Sequence, residues 1–178
     1  SVTNDAGAAG RVTIDAGAIR LSNASRILTE TRSTGAGGEV SMRADSLALA
    51  GESSITTSST IDAKSGDVRL EVGELRLETS SAIGTGSIAP VVLGGAPTTG
   101  PGGAVVIVAD GVTVADGSQV STSTDGAGDA GDLELDVRGR LLLTGRRGVD
   151  QPSGLFARSG STLGSPATGD GGRIVVRA

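Results

Sequence analysis

Gly103–Ala130, GAVVIVADGVTVADGSQVSTSTDGAGDA, is the clearest copy of a unit that recurs along the whole chain. A glycine opens each copy: Gly10, Gly38, Gly66, Gly103, Gly131 and Gly172. The spacings are 28, 28, 37, 28 and 41 residues, and three equal members mark stacked repeats. Two residues after each glycine stand Val12, Val40, Val68, Val105, Leu133 and Ile174. Four after stand Ile14, Met42, Leu70, Ile107, Leu135 and Val176, and six after stand Ala16, Ala44, Val72, Ala109, Val137 and Ala178. Apolar residues at every second position predict a strand with one buried face.

The parity then switches. The next apolar pairs are Ile19 and Leu21, Leu47 and Leu49, Leu75 and Leu77, and Val112 and Val114. Odd offsets after even ones require a corner, expected at Gly17, Asp45, Gly73 and Asp110, residue types that tolerate positive φ. A third strand is anchored by Ile27, Ile55, Ile83, Val120 and Leu155, each two residues after Ser25, Ser53, Ser81, Ser118 or Ser153. Three short strands with one apolar face cannot close a core alone. They must wrap a shared interior, with equivalent positions stacked about 4.8 Å apart. The expected fold is all-β: a right-handed parallel β-helix (β-solenoid) of about six coils with three strands per coil, one domain over residues 1–178.

The longer spacings are insertions. They are expected around Ala89–Pro101, near Arg146–Pro152 (seven residues) and around Thr162–Thr168. Loops of this kind in repeat proteins often lie on a binding face. The chain opens and closes in mid-register, since Arg173–Ala178 is only a first strand, so it is expected to be a piece of a longer chain.

Composition narrows the function classes. Phe156 is the only aromatic residue, so aliphatic ladders must fill the interior. The net charge is −5 and Arg146–Arg147 is the only adjacent basic pair, which gives nucleic-acid binding no support. Cysteine is absent, excluding disulfides and thiolate metal sites. Histidine is absent as well, removing Ser-His triads and imidazole ligands. The inventory argues against an enzyme.

Paired carboxylates remain to be placed. Asp125, Asp129 and Asp132 in TDGAGDAGD, with Asp170 one coil later, could in principle serve hydrolysis or hold calcium, because glycine lets carbonyls turn toward a hard cation. The plainer reading is that glycine-rich turns favour aspartate. The hydroxyl pairs Thr29 and Thr31, Thr57 and Ser59, Thr85 and Ser87, and Thr122 and Thr124 share the parity of the strand anchors. They are therefore expected inside, as a ladder of hydroxyls satisfying one another, rather than outside as an ice-binding face. The outward residues of the first strand place Arg43 between Asp15 and Glu71, a solvated face with cross-strand ion pairs.

The segments GRVTIDAGAIRLSNASRI (10–27), GGAVVIVADGVTVADGSQVSTSTDGAGDAGDLEL (102–135) and GLFARSGSTLGSPATGDGGRIVV (154–176) resemble the repeats of filamentous-haemagglutinin-like large exoproteins of Gram-negative bacteria. The resemblance implies a right-handed β-helix exported through an outer-membrane two-partner secretion transporter, acting at the cell surface or in the medium, commonly in adhesion. That family's secretion domain carries an Asn-Pro motif, and this chain has no Asn-Pro. The resemblance is thus to shaft repeats. The expected function is a structural and adhesive segment that displays loops to a surface glycan or protein. The alternative is a self-assembling extracellular fibre subunit stacked through its coil ends, and third comes a polysaccharide-active enzyme. No cofactor is expected beyond the calcium already considered.

The inward assignment has a direct check. Ile107→Asp buries an unpaired charge in mid-stack and is expected to prevent folding; a soluble variant that melts cooperatively would refute it.

Overall fold

The computed structural model describes residues 1–3, 7–32, 34–60, 62–87, 100–160 and 168–178. The expected extra residues around Ala89–Pro101 and Thr162–Thr168 lie outside these, save Gly100, Pro101 and Thr168. No helix occurs among the described residues. The strands are β1 (Val2–Thr3), β2 (Val12–Leu21), β3 (Arg26–Thr31), β4 (Val40–Leu49), β5 (Ser54–Ser59), β6 (Val68–Leu77) and β7 (Ala82–Ser87). They continue as β8 (Val105–Ala115), β9 (Gln119–Thr124), β10 (Leu133–Thr144), β11 (Arg146–Arg147), β12 (Gln151–Pro152), β13 (Gly154–Ser159) and β14 (Ile174–Arg177).

These strands form two parallel six-stranded sheets, ordered β1-β3-β5-β7-β9-β13 and β14-β10-β8-β6-β4-β2, with β11 and β12 as a small antiparallel pair. The chain crosses from one sheet to the other and back in every repeat, the topology of a β-solenoid. The pairing register is the one the glycine spacing sets: Val12↔Val40, Val40↔Val68, Val68↔Val105, Val105↔Leu133 and Leu133↔Ile174. Val40, Leu47, Ile55, Val68, Leu75, Ile83, Val105, Ile107, Val120, Leu133 and Leu135 are all buried in one core.

The corner departs from expectation. The first and second strands of a repeat are one continuous strand, so each repeat contributes two strands to two sheets, not three to three. The parity switch survives as a single gap in the ladder: Ala16↔Ala44 is followed by Ala18↔Ser46, and the same position is skipped twice more. One skipped residue reverses facing without breaking the sheet. Nor do Gly17, Asp45, Gly73 or Asp110 adopt positive φ. Gly73 is instead required by close approach, since a Cβ there would strike the carbonyl of Asp45.

Left-handed backbone occurs in the loop between the long strand and the short one. Asn23 and Ala24, Gly51 and Glu52, Thr79 and Ser80, and Asp116 and Gly117 are consecutive residues with φ between 53° and 77°. Two such residues in succession make a type I′ turn. The recurrent serine closes it: Ser25, Ser53 and Ser81 donate through Oγ to the carbonyls of Ser22 (2.5 Å), Ala50 (2.7 Å) and Glu78 (2.7 Å). The turns also bond to one another, Ala24 N–H to Gly51 O at 2.7 Å and Glu52 N–H to Thr79 O at 2.8 Å.

The inward threonines are buried as expected, Thr29 and Thr122 at 0 % exposure. Their partners differ. Thr29, Thr57, Thr85 and Thr122 each donate to the carbonyl of the glycine that opens the next repeat, whereas Ser59 and Thr124 donate to Ala63 O at 2.6 Å and Gly128 O at 2.8 Å. Thr29 Oγ1 bonds Gly38 O at 2.7 Å, Thr57 bonds Gly66 at 2.5 Å, Thr122 bonds Gly131 at 2.5 Å, and Thr85 bonds Gly103. A hydroxyl 4.8 Å from its neighbour along a parallel ladder is out of hydrogen-bond range, whereas the glycine carbonyl faces it across the core. The same glycines stack face to face: a Cβ on Gly66 would fall on the carbonyl of Gly38, and one on Gly103 on that of Gly66.

Two substitutions test this lock. Thr57→Val keeps volume but strands the buried Gly66 carbonyl, and is expected to lower stability by about 1–3 kcal/mol in chemical denaturation. Gly66→Ala is expected to abolish the folded state in far-UV circular dichroism. Parent-like stability of either variant would remove the lock.

Candidate functional site

The four candidate aspartates lie close to the Gly131 opening. Asp129 and Asp170 stack in successive repeats as the spacing implied, but they meet through backbone: Asp129 Oδ1 accepts the Asp170 N–H at 2.8 Å. Asp132 Oδ1 accepts the Arg173 N–H at 2.9 Å and its other oxygen pairs with the Arg173 guanidinium at 3.1 Å. Asp67 makes the same bond to Ala104 N–H at 2.9 Å. Asp125 sits half-buried at the head of the loop. Among the described residues no group of three or more His, Cys, Asp or Glu side chains converges on one point. What these carboxylates do in the structure is staple one repeat to the next, the role that turn chemistry gives aspartate.

A second acidic region lies on the outside of the corner. Asp15, Asp45, Glu71 and Asp110 line a shallow groove of about 460 Å³ together with Arg43 and Arg138. Arg43 lies between Asp15 and Glu71, as the sequence implied, but bonds Glu71, at 2.6 Å. That bond raises the Arg43 pKa further, with Asp15 a minor contributor. Arg138 pairs with Asp110 at 3.2 Å. The Glu78 carboxyl is held below its ordinary range, chiefly by the hydrogen bond from Arg76. Its contribution to stability is therefore present above the ordinary carboxylate range and lost as pH falls through the lowered value. These are solvated pairs, each worth little.

The inserted residues of the fifth unit form the most distinctive surface feature. Of the seven extra residues, one is a bulge: Val137 and Arg140 pair with the adjacent residues' partners Ala109 and Gly111, leaving Arg138–Gly139 opposite Asp110. The other six enlarge the tight turn. Gly145, with φ 78°, takes the first left-handed position, and Ser153 N–H bonds its carbonyl at 3.1 Å, one residue later than the acceptors Ser22 and Ala115 of the tight turns. Between them β11 and β12 form a hairpin, Arg146↔Pro152 and Arg147↔Gln151.

The hairpin is tied back over the column of turns. Arg147 Nη1 pairs with Glu52 Oε1 at 2.5 Å, a contact spanning 95 positions in sequence. Gly117 N–H donates to Ser153 Oγ at 2.9 Å, and Gln119 Nε2 to Pro152 O at 3.1 Å. Gly117 has room for no side chain, since a Cβ would lie 2.6 Å from Arg147 Cβ. Val149 at the tip is 79 % exposed. The insertion was visible in sequence as added length, but its fold-back onto Glu52 was not.

Phe156, the one aromatic residue, lies outward on β13, half-buried, with the Arg158 guanidinium 4.2 Å from its ring centroid. Comparison with protein-family models, with curated proteins and with solved structures finds no match to this chain.

Asp129 separates the stapling role from metal binding. Asp129→Asn keeps the acceptor oxygen and is expected to melt like the parent, while Asp129→Ala loses about 1 kcal/mol. Millimolar calcium is expected to leave the melting temperature unchanged. A calcium-dependent rise that Asp129→Asn abolishes would assign a metal site instead.

Proposed function

We propose that the chain is a rigid display segment of a secreted or cell-surface exoprotein, in which a β-helical stack holds loops at fixed heights for contact with a glycan or protein surface. In this reading the stack is right-handed, with about six coils, each of three straight segments. The strong preference of parallel crossovers for right-handed winding supports the hand. The single gap in the long strands supports division into three segments, and the six opening glycines support the coil count.

The observation that carries the proposal is the β11–β12 hairpin. It replaces a two-residue turn at one level of a repeating column, is pinned at Arg147, and holds Val149 out in solvent. A loop already ordered presents its tip without the entropic cost of ordering on contact. The polar groups considered for chemistry are engaged in the scaffold: the buried threonine hydroxyls and the exposed staple carboxylates bond backbone. The resemblance of residues 102–135 to exoprotein shaft repeats supports, on this reading, export through an outer-membrane transporter of a Gram-negative bacterium.

Beads carrying the parent chain, and beads carrying a variant with residues 146–152 replaced by one glycine, are to be compared on immobilised glycans and matrix proteins. The replacement rebuilds the two-residue turn and is expected to melt with the parent. Retention of parent beads on at least one surface, lost in the variant, is the expected result. Equal retention, or none by either, would overturn the display role of the hairpin.

A further inference from the structure

The outer face of the β1-β3-β5-β7-β9-β13 sheet is a separate surface with its own pattern. Past Ala82, β7 presents only Gly84 and Gly86 outward, in register with Thr56 and Ser58 on β5 and Ser121 and Ser123 on β9. These residues line a shallow trough of about 280 Å³. Large side chains return only on the flanking strands. Leu28 and Glu30 of β3 continue the two columns on one side, and Phe156 and Arg158 of β13 on the other.

These two columns are symmetric in size and antisymmetric in charge about β7; the third outward column, Arg26, Ser54, Ala82, Gln119 and Gly154, is not. A rotation of 180° about an axis running along β7, in the plane of contact, lays a second copy face to face on the first. It brings Leu28 onto Phe156, Glu30 onto Arg158, Thr56 onto Ser121, Ser58 onto Ser123, and β7 onto itself. The charges are suited to the match. Arg158 makes no ion pair among the described residues and holds only the Phe156 ring and, at 3.4 Å, Gln119 Oε1. Arg32 holds both oxygens of Glu30, at 2.8 and 3.3 Å, and the Glu30 side chain is 13 % exposed; with about four lone-pair sites its carboxylate can still accept a second guanidinium at that exposed edge.

We propose that this face is an interface between two copies of the chain, packed antiparallel along the stack about a two-fold axis. Two apolar Leu28–Phe156 contacts and two Glu30–Arg158 pairs close the rims, and the hydroxyl-lined trough between them holds water, as interfaces commonly do. Five strands, β3 to β13, face one another, and at about 4.8 Å apart and about six residues long they cover on the order of 500 Å² per copy, so the pairing sits at the small, reversible end of specific interfaces. A two-fold contact closes on itself, so association stops at the dimer.

Sedimentation equilibrium of the full chain up to roughly 200 µM, a range that reads weak constants, tests the proposal. The expected result is a reversible monomer–dimer equilibrium that weakens in high salt. Arg158→Glu is expected to weaken the dimer at least about tenfold through like-charge juxtaposition with Glu30. The exchange Glu30→Arg with Arg158→Glu is expected to restore it, because the two-fold pairs each residue with the other's counterpart. Leu28→Glu, on the solvent side of β3, removes the apolar contact without touching the core and is expected to give monomer with the parent's melting curve. Monomer at every concentration would overturn the proposal. So would oligomers growing past the dimer, a dimer insensitive to Arg158→Glu and Leu28→Glu, or one that the double exchange does not restore. None of these outcomes depends on the hairpin.

Discussion

The carbonyl oxygen of the opening glycine, at Gly38, Gly66, Gly103 and Gly131, is the point on which the structure turns. It lies outside the strand ladders, at a largely buried position, and it needs a donor. The threonine of the preceding short strand supplies one from across the core, as Thr57 does for Gly66 and Thr122 for Gly131. The next glycine packs against that same oxygen with no room for a Cβ. One atom thereby ties the end of one repeat to the start of the next, and fixes the distance between repeats at backbone contact. A donor lost here leaves a desolvated acceptor, and an added methyl forces the stack apart.

Periodic positions of a second kind surround that column. Asp67, Asp129 and Asp132 use a carboxylate oxygen to receive an N–H of the next repeat. The left-handed turns do the same with their own backbone at Ala24 and Glu52. In a stack whose single aromatic residue points outward and which has no disulfide, stability comes from aliphatic ladders and from satisfying irregular backbone groups once per repeat. The polar residues that first suggest chemistry are largely consumed in that accounting.

Variation enters where the accounting allows it. The strands tolerate a single added residue, the bulge at Arg138–Gly139, which re-aims the chain but keeps the pairing on both sides. The turn column tolerates six, because the Ser153 N–H to Gly145 O bond closes the enlarged turn in place of the serine Oγ bond of the tight ones. The outer faces of the sheets are free in a different way. Their side chains do not contribute to the core, so the glycines at Gly84 and Gly86, the serines beside them and the larger residues at the rims answer to what meets the surface from outside. Loop and face are thus the two places where this scaffold has room for function.

The repeat length, the register of the ladders, the aliphatic core and the inward threonines were legible in the sequence, because each follows from side-chain alternation and a fixed period. Ser25, Ser53 and Ser81 were conspicuous too, though what they close was not. Facing alone could not say that the parity switch is a one-residue gap in a continuous strand. Nor could it say that the positive φ angles belong to Asn23–Ala24 and its equivalents instead of to Gly17 and Asp45, since both assignments leave the apolar pattern unchanged. The partners of Thr29 and Asp129, the fold-back of Arg147 onto Glu52, and the mirrored placement of Leu28 and Glu30 against Phe156 and Arg158 were decided only in three dimensions. They depend on which backbone atoms the stacking brings within about 3 Å, the reach of a hydrogen bond, and a one-dimensional period carries no information about that.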